Sequence, residues 1–172
     1  SLVGNMNLIS KIYFPREVLP FALALARLLD FGIAFVIMIL LMLLYRMPIF
    51  TVSWLYLPII IVVQVLFTAG VGLLGAALNV FYRDMRHLFA LLLQLWMYAS
   101  PVIYPVTSVP EQFRMLYFLN PMAGILTAYR EVLILQQVPG PYFVATTILA
   151  VATFLFGYWF FRRVEPRFAD VV

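Results

Sequence analysis

Gly70, Gly72 and Gly75 spell G-x-G-x-x-G, the spacing with which a strand-to-helix turn brings backbone N–H groups to a pyrophosphate. The residues around them are continuously apolar, with no strand ahead, and the nearest acid, Asp84, lies only nine residues past Gly75. A ribose-binding carboxylate would sit about 20 residues on, so the glycines suit the close approach of a neighbouring helix instead. Gly72 and Ala76 add a small-xxx-small spacing to the same segment. A phosphate-binding loop of the G-K-[ST] kind is excluded, because the only lysine, Lys11, stands between Ser10 and Ile12. The single histidine, His87, follows Arg86 and has no catalytic neighbour in sequence, and cysteine is absent. The seven acids are scattered, where metal or acid–base chemistry would want a cluster.

What remains are polar groups in apolar surroundings. Arg27 and Asp30 stand three apart, where opposite charges on a helix meet; an ion pair or interhelical clamp competes with a transport role. Trp96, Tyr98 and Tyr104 accompany Gln94, Ser100, Pro101 and Pro105. Their polar tips need a partner, whether protein, water or a hydroxylated ligand, so helix packing and a surface for sliding sugars both stay open. Arg83 and Arg86 suit a plain topology signal.

The elements that must position these residues follow from composition. Of 172 residues, 66% are hydrophobic and 10% charged, against about 25% charged in an ordinary soluble domain. Mean hydropathy is +1.06. Such a chain cannot hide its apolar surface in a soluble fold, and neither the composition nor the net charge of +4 describes a nucleic-acid binder. The expected class is an all-α, polytopic helical integral membrane protein, one transmembrane domain over 1–172. A crossing takes about 20 apolar residues, which gives four spanning helices at 21–45, 54–80, 88–104 and 141–161. Residues 1–20 precede the first span and 162–172 follow the last.

The segment 108–138 decides the topology. With four spans and both ends cytoplasmic, Lys11, Arg16, Arg83, Arg86, Arg162, Arg163 and Arg167 lie inside, and Arg46, Arg114 and Arg130 lie outside. A fifth crossing at Pro121–Val138 would reverse that bias and bury Arg130 and Glu131 at about 2.5–3.5 kcal/mol per charge. The segment is therefore expected to dip in from the outer face and turn back at Pro139-Gly140. Ser108-Val-Pro-Glu111 fits a capping box, starting a short helix over about 109–118 with Glu111 and Arg114 one turn apart. Together these form an external re-entrant hairpin; the plain alternative is a loop lying on lipid. Ahead of the first span, Leu8, Ile9, Ile12 and Tyr13 form an apolar stripe opposite Asn7, Ser10 and Lys11. That stripe fits either an interfacial helix or a helix docked on a cytoplasmic partner.

Taken in order, NLISKIYFPREVLP (7–20), NVFYRDMRH (79–87), SPVIYP (100–105), SVPEQFRMLYFLNPMAG (108–124) and AYREVL (128–133) resemble the permease subunits of ATP-binding-cassette exporters. The branch they resemble exports lipid-linked polysaccharide: O-antigen, capsule or teichoic acid. Such permeases usually have six spans, so the resemblance implies that this sequence lacks the first two, as a fragment or as the product of an incomplete gene. It also implies a bacterial cytoplasmic (inner) membrane location, a homodimer with a second permease copy, and two cytoplasmic cassette ATPases. ATP would bind those partners, leaving this chain without cofactor, metal or catalytic residue. Lys11, Tyr13, Arg16 and Glu17 become ATPase-coupling contacts, and Trp96, Tyr98 and Tyr104 face the glycan path. Arg83 and Arg86 meet the lipid pyrophosphate headgroup, while Glu111, Arg114, Arg130 and Glu131 belong to the outer gate. An ATP-driven drug or small-lipid exporter, an ion-coupled carrier and a membrane glycosyltransferase are the competing readings. A carrier wants midplane ionisable groups and internal repeats, of which Asp30 alone is present.

Overall fold

The computed structural model describes residues 18–49, 51–81, 85–102, 110, 112–113 and 117–165. Among them there is no strand, so the all-α expectation holds. Helix α1 (Val18–Leu44) is the first long apolar helix. It ends where Arg46 takes a left-handed φ of 53°. There the Met47 and Arg46 N–H groups donate to the Met42 and Leu43 carbonyls at 2.9 and 3.0 Å, a Schellman closure made without glycine. A 3₁₀ turn (Val52–Tyr56) leads into α2 (Leu57–Phe81). Helix α3 covers Met85–Ala99, α4 covers Pro121–Arg130 and α5 covers Tyr142–Val164.

Three segments are long and apolar enough to cross a bilayer: Leu25–Leu44, Val52–Val80 and Tyr142–Val164. They match the first, second and last expected spans within a few residues. The third differs. Helix α3 has 15 residues, a rise of about 22 Å against about 30 Å of hydrocarbon, and it stops where Ser100–Val102 form a turn. Proline cannot continue the backbone hydrogen bonding, so Pro101 ends the helix four residues before the proline expected to do so.

The framework is the pair α2 and α5, which share the most extensive contact in the molecule. Gly70 faces Phe154, while Leu73 and Ala77 cluster with Phe161 and Val164, so the two helices run parallel. Their crossing is a backbone contact. A Cβ on Gly70 would stand 2.7 Å from the Phe154 Cα, and one on Gly157 would stand 2.5 Å from the Gly70 carbonyl oxygen. The close approach expected of the glycine segment is therefore real at Gly70, with Gly157 as its partner. Gly72 does not take part: nothing lies within 4 Å of where its Cβ would be. Without a hydrophobic drive between helices in lipid, contact at this range is what holds them together.

Helix α4 lies in the middle of the fold. Ile125, Ala128, Val132 and Leu133 cluster with Leu57, Ile60, Val63 and Phe67 of α2 and with Phe143 and Ala150 of α5. A Cβ on Gly124 would collide with the Thr146 hydroxyl. Residues 121–135 are thus a buried helical segment packed on α2 and α5. Overpacking of a filled core costs about 1–3 kcal/mol, and contact with backbone leaves the least room to yield. Gly70→Leu and Gly157→Leu are expected to lower the midpoint of thermal unfolding in detergent by several degrees. Gly72→Leu in the same segment should leave it unchanged.

Candidate functional site

The breaks between α3, α4 and α5 gather most of the polar side chains that interact across elements. Asn120 caps α4, its Oδ1 accepting from the Met122 N–H at 3.1 Å, with Pro121 at the first helical position. The same Oδ1 accepts from the Trp96 indole N–H at 2.7 Å, and the Asn120 amide donates to the Ser100 hydroxyl at 3.0 Å. One side chain thus joins the start of α4 to the end of α3. The Trp96 ring also packs edge-on against Phe67 of α2, centroids 5.8 Å apart. Arg130, at the other end of α4, donates to the Pro101 carbonyl at 3.2 Å, so the α3 break is held from both ends of α4.

The far end of α4 widens. Glu131–Leu135 form a π-helical turn that closes on Gln136 in a left-handed conformation, φ 55°. The Glu131 carbonyl accepts from the Gln137 N–H at 2.9 Å. The Glu131 carboxylate accepts from the Gly140 N–H, also at 2.9 Å, and the Tyr142 hydroxyl lies beside it. The chain turns back at Gln136, three residues ahead of the Pro139-Gly140 pair expected to do so, and Glu131 ties the returning strand to the start of α5. Ser53 donates to the Val132 carbonyl at 3.0 Å, and Gln136 donates to the Pro48 carbonyl at 3.4 Å, anchoring the turn to the α1–α2 connection. Lower down, the Tyr129 hydroxyl donates to Gln64 at 2.7 Å and its ring packs on Phe31 at 5.8 Å. Helix α4 is thereby tied to every neighbour it passes.

Among the expected site residues, Trp96 is bound to Asn120 at the start of α4, while Arg130 and Glu131 lie at its other end, bound to Pro101 and Gly140. Tyr98 is exposed on α3, and Arg86 falls in the first turn of that helix. Lys11, Tyr13, Arg16, Glu17, Arg83, Tyr104, Glu111 and Arg114 lie outside the described residues, as does half of the expected 109–118 helix. Asn120 and Ser100 were not singled out as site residues, although the Asn-Pro helix start at 120–121 is a visible capping signal. Between α2 and α3 an open apolar groove of about 320 Å³ is lined by Val71, Phe89, Leu92, Leu93 and Trp96. Among the described residues no group of three His, Asp or Glu side chains could hold a metal ion.

Three apolar helices of spanning length packed around a shorter buried helix define a polytopic all-α membrane protein. The chain belongs to the ABC-2 type transporter family, whose sequence pattern matches residues 2–134. It is similar to two O-antigen export system permease proteins RfbA of Klebsiella pneumoniae. Identities are 29% over 174 residues and 27% over 173, covering 100% of this chain and 66% of each relative. It is also 30% identical over 142 residues to the RfbA permease of Myxococcus xanthus, covering 81% of this chain and 54% of that protein. The chain therefore spans just under two thirds of the length of the Klebsiella relatives.

Asn120→Ala removes a helix cap and leaves a half-buried indole N–H and the buried Ser100 hydroxyl without their partner, each loss worth about 1–3 kcal/mol. It is expected to lower the unfolding midpoint markedly. Asn120→Asp keeps the acceptor for Trp96 and the cap and loses only the donation to Ser100, so it should fall between wild type and Asn120→Ala in the same thermal scan.

Proposed function

We propose that this chain is the membrane permease of an ATP-driven exporter that moves lipid-linked polysaccharide, of O-antigen, capsule or teichoic-acid type, across the bacterial cytoplasmic membrane. The observation that carries this reading is similarity along the whole chain to permeases named for O-antigen export. The absence of any phosphate-binding lysine motif in the sequence is in keeping with energy entering from a separate cassette ATPase. In this reading two permease copies meet two ATPases, and both ends of the chain are cytoplasmic. Four segments then cross, α3 being the third.

In that topology the α4 hairpin faces outward. It is held closed by the Asn120 and Glu131 joints, so it is the element whose displacement would open an exit. Lys11, Tyr13, Arg16 and Glu17 receive the ATPase's push. Arg83 and Arg86 meet an anionic headgroup at the cytoplasmic mouth, and Tyr98 and Tyr104 follow along the path. Trp96 has a different part: its indole N–H is spent on Asn120, which makes it a hinge pin for the gate with one ring face left for a sugar.

Replacing Arg16 and Glu17 together by alanine is expected to reduce surface polysaccharide on immunoblots. In the same cells the cassette ATPase should co-purify less with the permease. Transport by the purified permease without any ATPase, driven by an ion gradient, would overturn the reading.

A further inference from the structure

Helix α5 carries Arg162 and Arg163 in its last turn, at the end of a segment, Tyr142–Val164, long and apolar enough to span a bilayer. That places both arginines at the boundary between hydrocarbon and headgroups. Neither reaches on past the helix end. The Arg162 guanidinium lies over the Tyr158 ring, 5.7 Å from its centroid, and its Nε donates to the Tyr158 hydroxyl at 3.2 Å. The Arg163 guanidinium lies over the Trp159 ring at 5.5 Å. Each charge is thus folded back by one turn, about 5 Å towards the apolar part of the span, in the direction that helical side chains lean.

Contact of this kind engages the flat face of a guanidinium and leaves its N–H edge for a bidentate acceptor. Arg163 is in no ion pair among the described residues. Glu165, at the C-cap, follows Arg162 by three residues and Arg163 by two. On a helix that spacing brings it to Arg162 and sets it away from Arg163. The surroundings are those of lipid. Leu155, Phe156 and Trp159 share the outward side and are 53–59% exposed, with the Phe156 ring 6.0 Å from Trp159 and 6.3 Å from Phe160. Such bulky relief suits acyl chains, whereas helix contacts in membranes use small residues. The small residue of this stretch, Gly157, is turned inward on Gly70. Tryptophan and tyrosine collect at headgroup level, where the acceptor at hand for a guanidinium edge is a phosphate diester.

We propose that this end of α5 binds one anionic phospholipid of the surrounding leaflet. Arg163, braced on Trp159, holds the phosphate diester through its N–H edge, with Arg162 adding positive charge beside it. One acyl chain lies along the ledge of Trp159, Phe156 and Leu155. A zwitterionic lipid fits less well, because its own ammonium competes for the phosphate and is repelled by the two arginines. The site needs only that the chain be embedded in a membrane, and it holds whatever the cargo is.

The chain has three tryptophans, Trp54, Trp96 and Trp159, and the last reports on the site. The full chain is placed in nanodiscs of phosphatidylcholine. Phosphatidylglycerol or phosphatidylcholine with brominated acyl chains is then mixed in at rising proportion. Bromine quenches indole fluorescence on contact, and subtracting the signal of Trp159→Phe isolates Trp159. Half of the Trp159 signal is expected to be lost at a several-fold lower mole fraction of the brominated phosphatidylglycerol than of the brominated phosphatidylcholine. In Arg163→Gln, read against its own Trp159→Phe control, the two curves should come together. Coincident curves in the wild type would mean that bulk lipid alone covers the surface and would overturn the proposal. No quenching of Trp159 by either lipid would overturn it in favour of a protein covering. A gap unchanged by Arg163→Gln would remove the arginine as the phosphate ligand, and the site with it.

Discussion

A bilayer offers no water to a backbone that leaves the helix, so each break at membrane depth must find its hydrogen bonds within the protein. That constraint explains where the polar residues of this chain are. The end of α3 and the start of α4 meet at Asn120, which satisfies Trp96, Ser100 and a free backbone N–H at once. The end of α4 and the start of α5 meet at Glu131, which takes the Gly140 N–H. Between these two joints, α4 exposes almost no polar backbone. It can therefore sit in the apolar interior without crossing, packed on α2 and α5 through Ile125, Ala128 and Val132.

The second condition is the meeting of α2 and α5. Lipid tails are as apolar as leucine, so helices in a membrane adhere through close packing more than through burial of oily surface. Gly70 and Gly157 bring the two backbones together without an intervening side chain, and the groove so formed receives α4, with Gly124 set against Thr146. Three of the eight glycines thus serve helix contact. Glu131, Asn120 and Tyr129 then orient what the glycines allow to approach.

Much of this was legible in the residues. The apolar stretches of spanning length marked the long helices found at 25–44, 52–80 and 142–164. The i, i+3 spacing of Arg27 and Asp30 anticipated their ion pair. Other features could not be read locally. Which glycine touches a neighbour depends on helix rotation, and Gly72, two residues from Gly70, faces the wrong way. The early end of α3 reflects Pro101, a residue that many membrane helices would carry as a kink. Trp96 looked equally suited to a ligand or to packing until Asn120, 24 residues away, was placed beside it. The roles of the coupling residues and of Arg83 rest on resemblance, since they lie outside the described structure.

The Gly70–Gly157 crossing also sets how this domain can change shape. Two helices joined backbone to backbone have no rotamers to rearrange between them, and so they behave as a single stiff post. Helix α1 packs on that core through Phe35 and Met38, and α3 meets α2 through Phe89 and Trp96. A change of shape therefore leaves that pair fixed and falls to the elements packed around it, which its side chains and not its backbone hold in place.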